Sequence, residues 1–197
     1  MTFTERRAEK RVRPPRDAVL DFALWPAEAN PPMRLPLAAL GPPSARHRPG
    51  QRLELVDVAS LGIGLRLFAE PSVLAGLAAG PALFVYLRLH AYAPLDAAGP
   101  LSLFVHAATV RADAGQGETR FGLRILHLGR GSTFEKAIEL LDVSRFGVRE
   151  LAAWIDAVDR HGHRRETGMA EGLDIEALLA EPDLADQGCP TGEGNGA

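Results

Sequence analysis

Apolar and polar positions change their period once along the chain, and the change divides strands from helix. Leu53 and Leu55 flank Glu54, Gly64 to Phe68 resumes the pattern after a Gly-rich turn, and Phe121, Leu123 and Ile125 alternate with Gly122 and Arg124. A period of two is that of a strand with one buried face. Leu83 to His90 and Leu101 to Arg111 are richer in apolar and aromatic residues and predict further strands. Strands joined by short turns argue for an antiparallel barrel or sandwich. Beyond them Val148, Leu151, Ala152, Ile155 and Val158 fall at helical spacing, with Arg149, Glu150, Asp156 and Asp159 on the other faces. The expectation is a mainly β core capped by a C-terminal α-helix. Phe134 to Leu141 predicts a shorter helix ahead of it. Gly129 to Thr133 then reads as a strand-to-helix turn capped by Ser132 or Thr133.

The two ends and one internal stretch depart from this pattern. Residues 1–16 read as a basic arm ending at Pro14-Pro15, a pair that neither a helix interior nor a central strand accommodates. Val19 to Leu24 predicts a first strand. Seven prolines from Pro26 to Pro49 then mark an insertion, about residues 25–50, read either as a wrapping loop or as a disordered segment. The domain is bounded at 17–165. Residues 166–197 form an acidic tail in which Leu173 to Leu179 alone has helical character.

Length and charge sharpen this outline. A chain of 197 residues with 46% apolar content suits one well-packed core with appendages. The net charge is −3, yet eight acids and no Lys or Arg lie between Glu166 and Ala197, so the remainder carries +5. Residues 1–16 hold six positive and two negative side chains, which makes the N-terminal end electropositive and suited to an anionic ligand. No long basic stripe with interleaved aromatics is present, so nucleic acid is not the expected partner. Arg6, Arg7, Lys10 and Arg11 interrupt any secretory signal, and the apolar run Val73 to Leu87 is cut by Gly76, Gly80 and Pro81, short of a membrane span. A lone Cys189 excludes an intrachain disulfide. These readings imply a cytoplasmic protein without membrane insertion, monomeric or homodimeric.

Two stretches carry the functional expectation: Glu5 to Val12, ERRAEKRV, and Asp57 to Leu65, DVASLGIGL. Together with the order of elements they resemble the PilZ domain family, whose members place an RxxxR arm before the first strand and a [D/N]xSxxG turn between early strands. Arg7 and Arg11 match the first motif, next to Arg6. Asp57, Ala59 and Gly62 stand at the D, S and final G positions of the second, with Ser60 beside Ala59 as a substitute hydroxyl. The resemblance implies an antiparallel six-stranded β-barrel with a C-terminal α-helix. It also implies a receptor for cyclic di-GMP that switches a partner on ligand binding, with no cofactor and no catalysis. The chemistry agrees. A guanidinium bridges guanine O6 and N7, pairs with phosphate or stacks on a purine, while a carboxylate accepts from guanine N–H groups and glycine lets backbone approach.

Competing matches are weaker by position. RxxxR spacing recurs at Arg48/Arg52, Arg120/Arg124, Arg145/Arg149 and Arg160/Arg164. A literal DxSxxG occurs at Asp142, Ser144 and Gly147, where it leads straight into the helix and reads as a loop or helix cap. Asp156/Asp159 read as a solvated helix face and His161/His163 as a surface pair without metal. No phosphate-binding loop, nucleophile elbow or dinucleotide fingerprint appears, so an enzyme is not expected. The alternative to a receptor is a degenerate PilZ-type adaptor that acts through protein contacts without nucleotide. A third possibility has the acidic tail folding onto the basic arm in competition with ligand.

Overall fold

The computed structural model describes residues 10–92, 99–132 and 136–170, with backbone alone for residue 132 and residues 161–170. The chain divides into two compact units, Met1–His161 and Gly162–Ala197; of the second, only helical backbone to Ala170 is described. Arg6, Arg7, Cys189, Leu173 to Leu179 and the rest of the acidic tail lie outside the described residues, as do the side chains of His161 and His163.

Among the described residues of the first unit nine strands form one curled antiparallel sheet, a half-barrel. They are β1 (Val19–Ala27), β2 (Arg34–Pro36), β3 (Ala45–Arg46), β4 (Arg52–Ala59), β5 (Gly62–Phe68), β6 (Ala82–Leu89), β7 (Leu101–Ala114), β8 (Glu118–Ser132) and β9 (Ala137–Asp142). Three helices accompany them: α1 (Leu37–Leu40), α2 (Pro71–Ala78) and α3 (Arg149–Ala170). The main path runs β2-β9-β8-β7-β6-β1-β3, and β5 branches from β8 carrying β4 on its far side. The branch is possible because β8 is long: Glu118 to Arg124 pairs with β5, and His127 to Ser132 pairs with β9.

The main core fills the concave face. Phe22 and Leu24 from β1, Leu53, Leu55 and Val58 from β4, and Ile63, Leu65 and Leu67 from β5 point into it. Leu83, Val85 and Leu87 from β6, Leu103 and Val105 from β7, and Phe121, Leu123 and Ile125 from β8 complete the lining. Leu151, Trp154, Ile155 and Val158 of α3 bury against this core at helical spacing. The Trp154 indole N–H donates to the His90 carbonyl at 2.7 Å, which satisfies the one polar group that side chain brings inside.

Four expectations need correction. The sheet is not a closed six-stranded barrel, because the two edges that would have to meet are engaged elsewhere. The outer edge of β1 takes β3 from the Pro-rich segment, with Ala23 opposite Arg46, and that of β4 takes the arm at Val58. Where a helix is expected over residues 134–141, the described residues from Ala137 on form a strand, β9, which pairs with both β8 and β2; Phe134 lies outside the described residues. Phe134, Ala137, Ile138 and Leu141 fit a helical template over eight residues, and the two open strand edges decide against it. Gly129 to Ser132 accordingly continue β8 instead of turning into a helix. Asp156 and Asp159, read as a solvated face, receive Lys10 at 3.3 and 2.7 Å.

The Pro-rich stretch is a wrapping segment with its own short elements. β2 adds to β9, α1 follows directly, and β3 adds to β1. Leu35 thereby covers the convex side of β6 and β9, where with Phe84 and Leu140 it forms a second, smaller core joined by Trp25, Leu40, Phe104 and Ile138. α2 overlaps the apolar run that starts at Val73; Pro71 begins the helix, and Leu74 and Leu77 bury one turn apart. Among the described residues no helix is long and apolar enough to cross a membrane.

Candidate functional site

The geometry at Asp57 begins with a spacing. Leu53 and Leu55 face the core two residues apart, but the next inward residue is Val58, so a strict alternation fails by one position. The backbone absorbs the extra residue as a bulge between Leu55 and Asp57, with Val56 exposed. Without the bulge Asp57 would face the core. With it, Asp57 sits on the convex face directly opposite Gly64 of β5. A Cβ at Gly64 would lie 3.1 Å from the Asp57 carboxylate, so glycine there gives the carboxylate its room.

The arm meets this hairpin. Val12 and Val58 exchange both backbone hydrogen bonds at 3.0 Å, an antiparallel bridge that fixes the arm against the edge of β4. Arg11, the next residue, brings its guanidinium to Asp57 Oδ1 at 3.3 Å, and both side chains keep access to solvent. Lys10 reaches the opposite way to α3, and Asp159 and then Asp156 hold its ammonium above the usual lysine range. Three successive residues are thus tied to the helix, the hairpin carboxylate and the strand edge. The two sequence motifs, 46 positions apart, come into contact through Arg11 and Asp57.

The other named positions fall around the same turn. Ala59 pairs with Gly62 across the two-residue turn Ser60-Leu61, and its side chain is fully buried. Ser60 is engaged on the far side: its carbonyl accepts the Val148 N–H at 2.9 Å, and its side chain lies against Gly147. Gly147 has φ +72°, and a Cβ on it would stand 2.5 Å from Ser60 Oγ and 2.9 Å from the Ser60 carbonyl oxygen. Leu61 is pinned in turn by the Ile125 N–H, 2.9 Å from its carbonyl. The hairpin end is therefore held from both sides.

The segment 142–148 that grips Ser60 is the second DxSxxG. Asp142 Oδ1 accepts the Ser144 N–H at 2.9 Å; the Ser144 side-chain hydrogen bond first, and then this backbone one, draw its carboxyl below the usual aspartate range. Asp142 thus shapes a turn, as the sequence reading has it. Around the hairpin end the arginines differ in commitment. Arg66 and Arg120 are paired with Glu54 and Glu118, and Arg111 with Asp113. Arg124, opposite Gly62 on the convex face, and Arg149, at the start of α3, are exposed with no acidic partner among the described residues.

No motif marks the histidine pair on the convex side of β7 and β8, in which His106 is buried and His127 half-buried. His106 Nδ1 and His127 Nδ1 approach to 3.0 Å with the rings stacked, and His106 Nε2 lies 2.9 Å from the Glu28 carbonyl. A carbonyl only accepts, so Nε2 of His106 carries its proton, and Nδ1 of His127 donates to Nδ1 of His106. Burial pushes His106 below the usual histidine range; the Glu28 carbonyl opposes this, and His127 adds to it. Among the described residues no group of three or more His, Cys, Asp or Glu could hold a metal ion.

No protein-family model, curated protein or solved structure matches this chain.

Proposed function

We propose that this chain is a cyclic di-GMP receptor of the PilZ type, a binding module whose basic arm and β4–β5 hairpin grip the ligand and whose arm changes its contacts on binding. The observation that carries the reading is the Arg11–Asp57 contact at 3.3 Å, made across a backbone bridge one residue further on. An arginine and a carboxylate so placed offer the two complementary groups that a guanine edge uses, with Gly62 and Gly64 keeping the adjoining backbone free of side chains. The finer fold reading goes with it: six strands, β1 and β4 to β8, supply most of the main core that α3 covers, the number a PilZ barrel uses.

Arg11 is held by a solvent-accessible ion pair, which is worth only about 0–1 kcal/mol. A phosphate or guanine that takes over the guanidinium replaces little and frees the arm to move, so binding shifts a population between two arm positions. Titration calorimetry with cyclic di-GMP tests this. Saturable heat is expected, with Arg11→Ala weakening affinity about 10- to 100-fold, the worth of a charge-assisted hydrogen bond. Arg130→Ala, which removes a surface pair to Glu150, leaves affinity unchanged. No saturation at tens of micromolar ligand refutes the receptor reading.

A second reading, the adaptor without nucleotide, is favoured by one observation. The hydroxyl position of the motif is a fully buried alanine, Ala59, and the neighbouring Ser60 is engaged with the 142–148 turn. An unchanged melting temperature on adding cyclic di-GMP, together with a reproducible protein partner, selects this reading instead.

A further inference from the structure

Phe146 is 91% exposed, the most exposed large apolar side chain among the described residues. It does not sit on a loose loop. Its own N–H and that of Gly147 donate to the Val143 carbonyl at 3.3 and 2.8 Å, and the Val143 N–H donates to Leu126 at 3.0 Å. Gly147 packs on Ser60, and Val148 bonds to it. The backbone is thereby fixed on both sides of a ring that nothing covers, beside the end of the hairpin that carries Asp57 and Gly62.

A single exposed apolar side chain is ordinary on a protein surface, so the weight falls on the anchored backbone beneath this ring and on the charges near it in the chain. The charges around it indicate the chemistry of that occupant. Arg145 precedes it, Arg149 follows one turn of chain later, and Arg124 stands across from Gly62; all three are exposed. A purely apolar protein surface would leave these guanidinium groups facing nothing. A nucleotide joins a flat aromatic base to a negative phosphate, and so satisfies both halves of the patch.

Resting on the receptor reading above, we infer that Phe146 is a base-stacking residue of the ligand site, a second wall contributed by the 142–148 turn that packs on Ser60 at the end of the β4–β5 hairpin. The literal DxSxxG at Asp142 then acts through its turn: Asp142 and Gly147 shape it, and the residue between Arg145 and Gly147 touches the base.

The test is calorimetric titration of the full chain with cyclic di-GMP for the unchanged protein, Phe146→Ala, Phe146→Leu and Phe146→Tyr. The exposed ring makes no packing contact to lose, so equal melting temperatures are expected for all four and serve as the folding control. Stacking predicts roughly 5- to 150-fold weaker binding for Phe146→Ala. Phe146→Leu should weaken binding nearly as much, since it keeps apolar area without a π face, and Phe146→Tyr should stay close to the unchanged protein. If the unchanged protein saturates and Phe146→Ala or Phe146→Leu binds equally well, stacking is refuted while the receptor reading stands. If the unchanged protein does not saturate, the receptor reading falls and takes the stacking role with it.

Discussion

The convex side of the sheet is treated in two different ways. Over β6, β7 and β9 it is roofed: Trp25, Leu35 and Leu40 close over Phe84, Phe104 and Leu140, and the ring of Phe84 stacks on Phe104 with centroids 5.5 Å apart. Over β4, β5 and the first half of β8 the side chains are Asp57, Gly62, Gly64, Gly122 and Arg124, and Gly64 stands directly opposite Gly122. Both areas belong to one sheet, so the difference lies in what each outward position carries. Aromatic outward positions recruited the Pro-rich segment as cover. Glycine and charge left the other area with too little apolar surface to hold a cover, and it stays uncovered among the described residues.

Three substitutions or conditions test that division, taken from the largest effect down. Phe84→Ala removes the centre of the roofed area and should cost about 3–5 kcal/mol of stability, read as a lower denaturant midpoint with an unchanged slope. Phe146→Ala in the open area serves as its counterpart, with no measurable loss; equal losses would erase the distinction.

Gly147→Ala sharpens the boundary of the open area, because it forces a side chain into Ser60 from a backbone with positive φ. A cost of about 1–3 kcal/mol is expected, together with weakened cyclic di-GMP binding as the turn lifts from the hairpin. Full stability in this variant would show that the turn is not held as described.

The third and smallest effect belongs to pH. His106 has a folded pKa below its ordinary 6.5, so the unfolded chain binds its proton more readily than the folded one. The stability it confers is complete above pH 6.5 and declines as pH falls from there through the folded value. Unfolding midpoints measured stepwise downward from neutral pH should show this decline, and His106→Gln should flatten it. The other ionisable groups nearby are His127, whose ring faces His106, and Asp142, opposite His127 on β9. Among the described residues of the open area Asp57 keeps access to solvent and no buried histidine occurs, so Arg11 and Asp57 variants should leave the profile unchanged.

Much of this organisation was legible from residue order. The alternation at Leu53/Leu55 and Phe121/Leu123/Ile125 located β4 and β8, and the helical spacing from Val148 located α3. The irregular step from Leu55 to Val58 carried the bulge as well, and with it the outward turn of Asp57. The roofed area was not legible, because Leu35 and Leu40 look like stray apolar residues among prolines until Phe84 and Phe104 are known to lie beneath them. The histidine pair was hidden for a similar reason: His106 and His127 are 21 positions apart, and only the β7–β8 register sets them face to face. Of the positions singled out in sequence, Arg11 and Asp57 come into contact, Gly62 stands opposite Ala59 at the hairpin end, and Arg6 and Arg7 lie outside the described residues; Phe146 carried no signal because exposure is not written in the residue type.

The outer edge of β4 carries a consequence for how copies of this protein behave toward one another. β4 is laddered to β5 on one side only, and on the other side Val12 alone, of the described residues, bridges to it, at Val58. A straight, bare strand edge is a template for a strand from another molecule, and half-barrels that fail to close risk growing into stacks. Here the extra residue at Val56 bends the edge, and Arg52 and Glu54 charge the stretch beyond it. The kink that turns Asp57 outward therefore also makes this edge a poor surface for polymerisation.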